Sequence, residues 1–296
     1  MRQLQLIQLY YYVCQCYDSY LSLHFQRQSN NFTPRFSDQE VITIYLFGLL
    51  NRRFTAKDTY DLITDYWLGW FPALPSYQGY NHGWPPHRIN ALHWHLEVIV
   101  ADLMSRLSYQ DCYQDVCLTD SLPIILSKRP YQAKVALGVA DKGFCSTKNL
   151  YYHGVKFHFL GLDRFGKMPL PEQMQFSPGS ANDLTVLKTV LPRLYNRWVV
   201  GDKIFASRPT NEQLAAQQVE ILTPIKLKKG QKRLDAAHQY LSSYVSSIRQ
   251  PVESFFNWLI EKTQIQIASK VRSQKGLLLH CYGRLAAALI GLVFNS

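Results

Sequence analysis

Residues 197–206 read RWVVGDKIFA. Trp198, Val199 and Val200 favour an extended strand. Gly201 ends the apolar run, and Asp202 places a carboxylate where it stops. An earlier stretch, VCLTDSLPII at 116–125, has the same design. Alternation there puts Val116, Leu118, Asp120, Leu122 and Ile124 on one strand face. An acid among leucines is costly unless it is paired or holds a cation. A carboxylate at the C-terminal end of a strand lies on the edge where open α/β sheets build their sites.

Outward from these two acids, the spacing predicts further strands at 154–163, 168–177 and 219–225. A helix is expected in SANDLTVLKTVLPRL (180–194), capped near Ser180 or Asn182. Others are expected in TNEQLAAQQ (210–218), in PVESFFNWLIEKTQ (251–264) with Pro251 at its first position, and over 276–294. The order of three strands, helix, strand, helix, strand, helix gives an α/β layout, a sheet covered by helices.

Residues 1–110 read as helical instead. Leu4, Ile7, Tyr11 and Cys14 step by three and four. Ser37 with Glu40 forms a capping-box signature ahead of a helix over 38–50, and Thr55 caps the next. Residues 72–87, rich in Pro, Gly and aromatics, read as a loop, followed by a long helix from Arg88 to Leu107. Basic residues between the short helices, Arg52, Arg53 and Lys57, suit a helix-turn-helix-like DNA reader, and a plain helical packing domain fits the same spacing equally well.

The 296 residues are 47% apolar, enough for one large or two ordinary domains with a proper core. Thirty-two Lys and Arg against 21 Asp and Glu give a formal charge of +11, with a pI near 9.3. That balance points to a polyanionic partner, nucleic acid ahead of a membrane surface. The longest apolar run, LAAALIGLVF at 285–294, is short of a membrane span, and the N-terminal residues lack a signal-peptide pattern. The expected location is cytoplasmic. Six scattered cysteines without a CxxC pair read as free thiols. Neither Cys14 with Cys16 nor His93 with His95 has a spacing that puts two metal ligands on one helix face.

A third acid, Glu253, opens the helix after the last strand. Asp120, Asp202 and Glu253 together make an all-oxygen set suited to two Mg²⁺ ions, with Mn²⁺ as a substitute. Two such ions serve phosphodiester chemistry. Each acid also has a structural alternative: Asp120 binding backbone amides, Asp202 capping the turn after its strand, Glu253 favoured by the helix dipole.

At this point the ordered set resembles the DDE transposases of bacterial insertion sequences. LTDSLPI resembles their first-Asp strand, VVGDKIF the second-Asp strand, and IRQPVESFFNWL the Arg-x-x-x-Glu segment. KGFCSTKNLYYHGVKFHFL (142–160) and FSPGSANDLTVL are similar to the intervening pieces. The resemblance covers about 111–270. It implies an RNase H-like mixed sheet flanked by helices, preceded by a helical N-terminal domain. The division is then 1–110, a DNA-binding region, and 111–296, the catalytic domain. It further implies Asp120, Asp202 and Glu253 as the metal triad, and Arg249 beside the DNA end. The family's Tyr position, three before the Arg, holds Ser246, with Tyr244 nearby. Its Lys position holds Ile260, with Lys262 two further on. Partners are double-stranded DNA at the element ends and target, and a second copy of the chain or more, in a nucleoid-associated protein.

Basic residues complete the expected DNA contacts. Lys142, Lys148, Lys156 and His158 lie around the first hairpin, where Lys156 and His158 point the same way. A second basic run, Lys226, Lys228, Lys229, Lys232 and Arg233, follows the last strand.

Overall fold

The computed structural model describes residues 2–22, 35–82, 92–146, 148–227, 230, 231 and 233–294. In chain order the longer helices and the strands are α1 (Arg2–Cys16), α2 (Asp38–Leu50), α3 (Ala56–Tyr66), α4 (Tyr77–His82), α5 (His93–Ser105), β1 (Val116–Ser127), β2 (Asp141–Cys145), β3 (Leu150–Leu162), β4 (Leu170–Pro178), α6 (Asp183–Leu187), β5 (Arg197–Val200), α7 (Arg208–Leu214), β6 (Val219–Leu222), α8 (Ala236–Arg249), α9 (Pro251–Thr263) and α10 (Gln274–Phe294). They form two compact units. One comprises 1–107, 259–265 and 270–296; the other comprises 108–258 and 266–269. The N-terminal segment of the first unit ends at 107, and the C-terminal segments 259–265 and 270–296 group with it rather than with the sheet.

The first unit is helical. Ser37 and Glu40 complete the capping box of α2, and Thr55 caps α3 through the Asp58 amide. The helix α1 forms, but its packed face is Leu6, Leu9, Tyr12, Val13 and Cys16. The expected stripe is turned outward, with Leu4 at 60% and Tyr11 at 64% exposure. Both stripes have helical spacing, so spacing alone does not choose between them. Part of the expected loop is helical (α4), and residues 83–91 of the loop and of the expected long helix lie outside the described residues. By length and composition α10 could cross a membrane, yet 67% of its apolar window is buried in the protein. Arg284 within it is buried and donates to the carbonyls of Thr263 and Phe54 and to His280 Nδ1. Burial, reinforced by the Arg284 cation, lowers His280 to about 3, so this imidazole is neutral and free to accept.

The second unit is a mixed sheet in the order β2-β3-β1-β5-β6, with β4 also on the outer side of β3. β1 runs antiparallel to β3 and parallel to β5, and β5 is parallel to β6. This is the RNase H-like mixed α/β arrangement expected from the sequence. One face packs Cys117, Leu160, Leu162, Val199, Val219 and Ile221 against Leu187 and Leu191, the segment opened by α6, and Leu214 of α7. The other face carries Phe157 and Phe159, which receive Phe255 and Phe256 of α9. The Phe159 and Phe255 rings stack with centroids 4.2 Å apart. Two elements were not foreseen: β2, a short outer strand, and α8, whose serines blur the apolar period.

Candidate active site

The register of the parallel pair decides where the two aspartates go. Cys117 lies beside Val199 and Leu118 beside Val200. Two residues further along each chain stand Asp120 and Asp202, so both acids emerge at one level from neighbouring strands. Gly201 is part of the device. A Cβ there would sit 2.8 Å from the Phe205 ring and 3.0 Å from Thr119 Cγ2. The missing side chain lets β5 run tightly along β1 before the chain turns. Asp202 then accepts from the Lys203 amide and starts a single helical turn over Lys203–Phe205. The capping alternative considered for Asp202 is thus real, and it leaves a second carboxylate oxygen.

On the antiparallel side Asp120 is paired with Phe159, so it lies on the face that α9 covers. The Phe159–Phe255 stack brings the start of α9 to this level of the sheet, and Glu253 is two residues before Phe255. Arg249, at the end of α8, closes the arrangement. Its Nη2 is 3.3 Å from Asp120 Oδ2 and 3.3 Å from Glu253 Oε1. Asp202, Arg249 and Glu253 line one open cleft of about 640 Å³, together with Ser242 and Ser246 of α8. The side chain of Asp120 is 21% exposed and that of Glu253 is 64% exposed.

Burial dominates the electrostatics of Asp120. Burial raises Asp120 from the ordinary 3.8 to about 6. The Arg249 cation and the Ser121 amide oppose the rise, while Asp202 and Asp183 add to it. A half-buried acid lifted by desolvation and by neighbouring acids, with an arginine already drawn in, marks a place that favours a cation. The donor set, three carboxylates, is the right chemistry for a hard divalent ion. Among the described residues, no three His, Cys, Asp or Glu side chains converge as ligands; the cation seated between Asp120 and Glu253 is the guanidinium of Arg249.

The other expected DNA contacts are dispersed. Lys156 and His158 lie on the opposite sheet face from Asp120 and are 14% and 9% exposed. Lys156 donates to Asp183 Oδ1 and to the Ala181 carbonyl, each at 2.9 Å. His158 Nε2 is 2.7 Å from Ser177 Oγ, and burial pushes its pKa down to about 4. Both are engaged with Asp183 and the β4 strand: Lys156 through two of its three N–H donors, and His158 through Ser177. Lys148 is exposed and donates to Gln266. Lys262 is exposed on the last turn of α9. Arg52 and Arg53 are exposed after α2, with Arg52 paired to Glu261. Of the second basic run, Lys228, Lys229 and Lys232 lie outside the described residues. Asp183 was not foreseen as part of this neighbourhood. Its signal was an acid in the first turn behind the Asn182 cap, a pattern helix starts favour for their own stability.

Compared with known families, residues 128–290 match the transposase DDE domain. The matched span contains Asp202, Arg249 and Glu253, and Asp120 lies just ahead of it. No curated protein and no solved structure matches the chain. Proteins of this family act on DNA and generally use divalent metals. With more than half of its length matched, and with the mixed sheet that such a domain needs, the chain belongs to the DDE transposase family.

Proposed function

We propose that this protein is the transposase of a bacterial insertion sequence, cutting the ends of its element and joining the freed 3′-hydroxyls to target DNA. Asp120, Asp202 and Glu253 are the metal-holding triad in this reading. The observation that carries it is the shared level of Asp120 and Asp202 on adjacent parallel strands, linked through Arg249 to Glu253. Bound there, two Mg²⁺ ions, or Mn²⁺ in their place, would favour an attacking oxygen and a leaving oxygen at one phosphate. The three carboxylates hold charge in place and need not take the proton themselves. Arg249 exchanges its carboxylates for a phosphate of the DNA end, a bidentate geometry that suits guanidinium. Hydroxyls of Ser242 and Ser246 line the same cleft, where the backbone of the cut strand would run.

The helical region supplies sequence recognition, with Arg52, Arg53 and Lys262 on phosphates, and on the sheet unit Lys148 adds a phosphate contact of its own. The chain acts as a dimer or higher oligomer on DNA, in the cytoplasm at the nucleoid. The test uses the full chain and a plasmid carrying the gene with its native flanks. Wild type in Mg²⁺ is expected to give cut ends and joined products, and Asp202→Asn neither, with DNA binding retained. Cut ends without joined products would make the protein a nuclease, and cutting by Asp202→Asn at the wild-type rate would remove that residue from the triad.

A further inference from the structure

On the β2–β3 hairpin and the loop that leads into it, far along the sheet from Gly201 and Asp202 in the strand order, three aromatic rings stand in the open around one lysine. Tyr131 is 82% exposed, Tyr151 53% and Phe144 46%. Phe144 and Tyr151 are direct cross-strand partners, with ring centroids 4.8 Å apart. Lys142 Nζ sits 4.3 Å from the Tyr131 ring centroid and 4.6 Å from that of Tyr151, and donates to the Tyr131 hydroxyl at 2.5 Å. One cation thus ties two rings in place, and a cross-strand contact ties the third. The connecting loop is also held. His153, buried on β3, is 2.7 Å from the Val135 carbonyl, which pins the loop carrying Tyr131 to the sheet.

The charge around the rings is one-sided. Residues 128–151 contain Lys128, Arg129, Lys134, Lys142 and Lys148 against a single acid, Asp141. Lys128, Arg129 and Lys134 are exposed. Asp141 is itself engaged by the Lys142 amide and the Ser180 hydroxyl. A soluble surface has little reason to fix three large rings in water within a cationic field. Flat π-faces among Lys and Arg are the chemistry that takes a polyanion with exposed planar groups. In a duplex the base faces are covered by their neighbours; in an unpaired strand they are free to stack on tyrosine and phenylalanine while phosphates meet the cations.

We propose that Tyr131, Phe144, Tyr151 and Lys142 form a stacking platform for unpaired DNA, a second nucleic-acid site distinct from the acidic cleft. The platform takes two or three bases without reading their sequence, and Lys128, Arg129 and Lys134 carry the backbone beyond it. The site binds without metal and does not depend on the triad, so it stands even if the assignment of Asp120, Asp202 and Glu253 falls.

The experiment measures binding of the full chain, in chelator, to a 20-nucleotide oligothymidine and to a duplex of equal length. The double variant Tyr131→Leu/Tyr151→Leu is expected to lose about 10- to 100-fold in affinity for the single strand, and less than threefold for the duplex. Tyr131→Phe/Tyr151→Phe keeps the rings and is expected to bind the single strand within threefold of wild type. Both pairs of side chains are exposed, so melting temperatures near wild type show that the variants fold. Equal losses for single strand and duplex, or no loss for the single strand, would overturn the platform. So would polyglutamate displacing the oligonucleotide from wild type at equal charge, which would assign the surface to an acidic protein.

Discussion

Replacing Asp120 by Asn tests the cleft through stability rather than through catalysis. Folding lifts the Asp120 carboxyl from 3.8 to about 6, chiefly by burial. A raised folded value means that its contribution is fully present below about pH 4 and is lost as the pH rises through about 6. The gap between the two values corresponds to at most ~3 kcal/mol withheld from the wild-type fold at pH 8. The attraction to Arg249 is already included in the value of about 6, so the neutral Asn should recover most of that energy. For a unit of this size, ~1 kcal/mol moves the melting temperature by roughly 2–4 °C. Thermal melts in chelator should therefore place Asp120→Asn about 3–10 °C above wild type at pH 8, and level with it or below at pH 4. Adding Mg²⁺ at pH 8 should raise wild type and leave the variant nearly unmoved, because a ligand that binds the folded state stabilises by mass action. A variant that melts below wild type at pH 8 in chelator would show that Asp120 is a satisfied structural acid, and the reasoning from burial would fail.

Three further perturbations separate structural from chemical roles. Glu253→Gln alters an exposed side chain on the first turn of α9, so melting in chelator should shift by no more than ~1 kcal/mol equivalent, while cutting and joining fall by several orders of magnitude; a variant that melts several degrees lower yet still cuts would make Glu253 a helix-start residue. Arg284→Met removes donors to Thr263 O, Phe54 O and His280 Nδ1, and urea unfolding should report a loss of about 2–4 kcal/mol; a loss below ~0.5 kcal/mol would mean that water or relaxation replaces the guanidinium. Gly154→Ala would place a Cβ 2.0 Å from the Ile124 carbonyl oxygen, across the β1–β3 pair, and should cost ~3 kcal/mol or more, visible as insoluble or early-melting protein; wild-type melting would mean that the strands part without penalty.

The parts of the molecule that the sequence made legible are those whose signals are local. The run of Trp198, Val199 and Val200 into Gly201 and Asp202 gave the decisive strand end, and Ser37, Thr55 and Asn182 all cap the helices they precede. What was not legible depends on neighbours. Leu4, Ile7 and Tyr11 have a helical period, but Leu6, Leu9 and Val13 have one too, and only the packing of the other helices decides which is buried. The pairing of Lys156 with Asp183, 27 residues later, leaves no mark in either segment alone. α8 hides behind Ser242, Ser243, Ser246 and Ser247, whose hydroxyls are indifferent to helix or loop in isolation. The link from Phe159 to Phe255 that brings α9 to the aspartates spans nearly a hundred residues and leaves no trace in either segment alone.

The interleaved order of the two units has a consequence for biosynthesis. On the ribosome, α1 to α5 emerge before the sheet unit, yet the helix that completes their core, α10, emerges after it. The sheet unit closes as soon as residue 269 is clear. Until α10 follows, the parts of α2 and α5 that it covers stay open, in a cell crowded with other nascent chains. A stop codon or frameshift between β6 and α10 therefore removes more than the residues beyond it. It leaves α1 to α5 with an unfinished core, and such products should be recognised by chaperones and proteases long before any question of DNA arises.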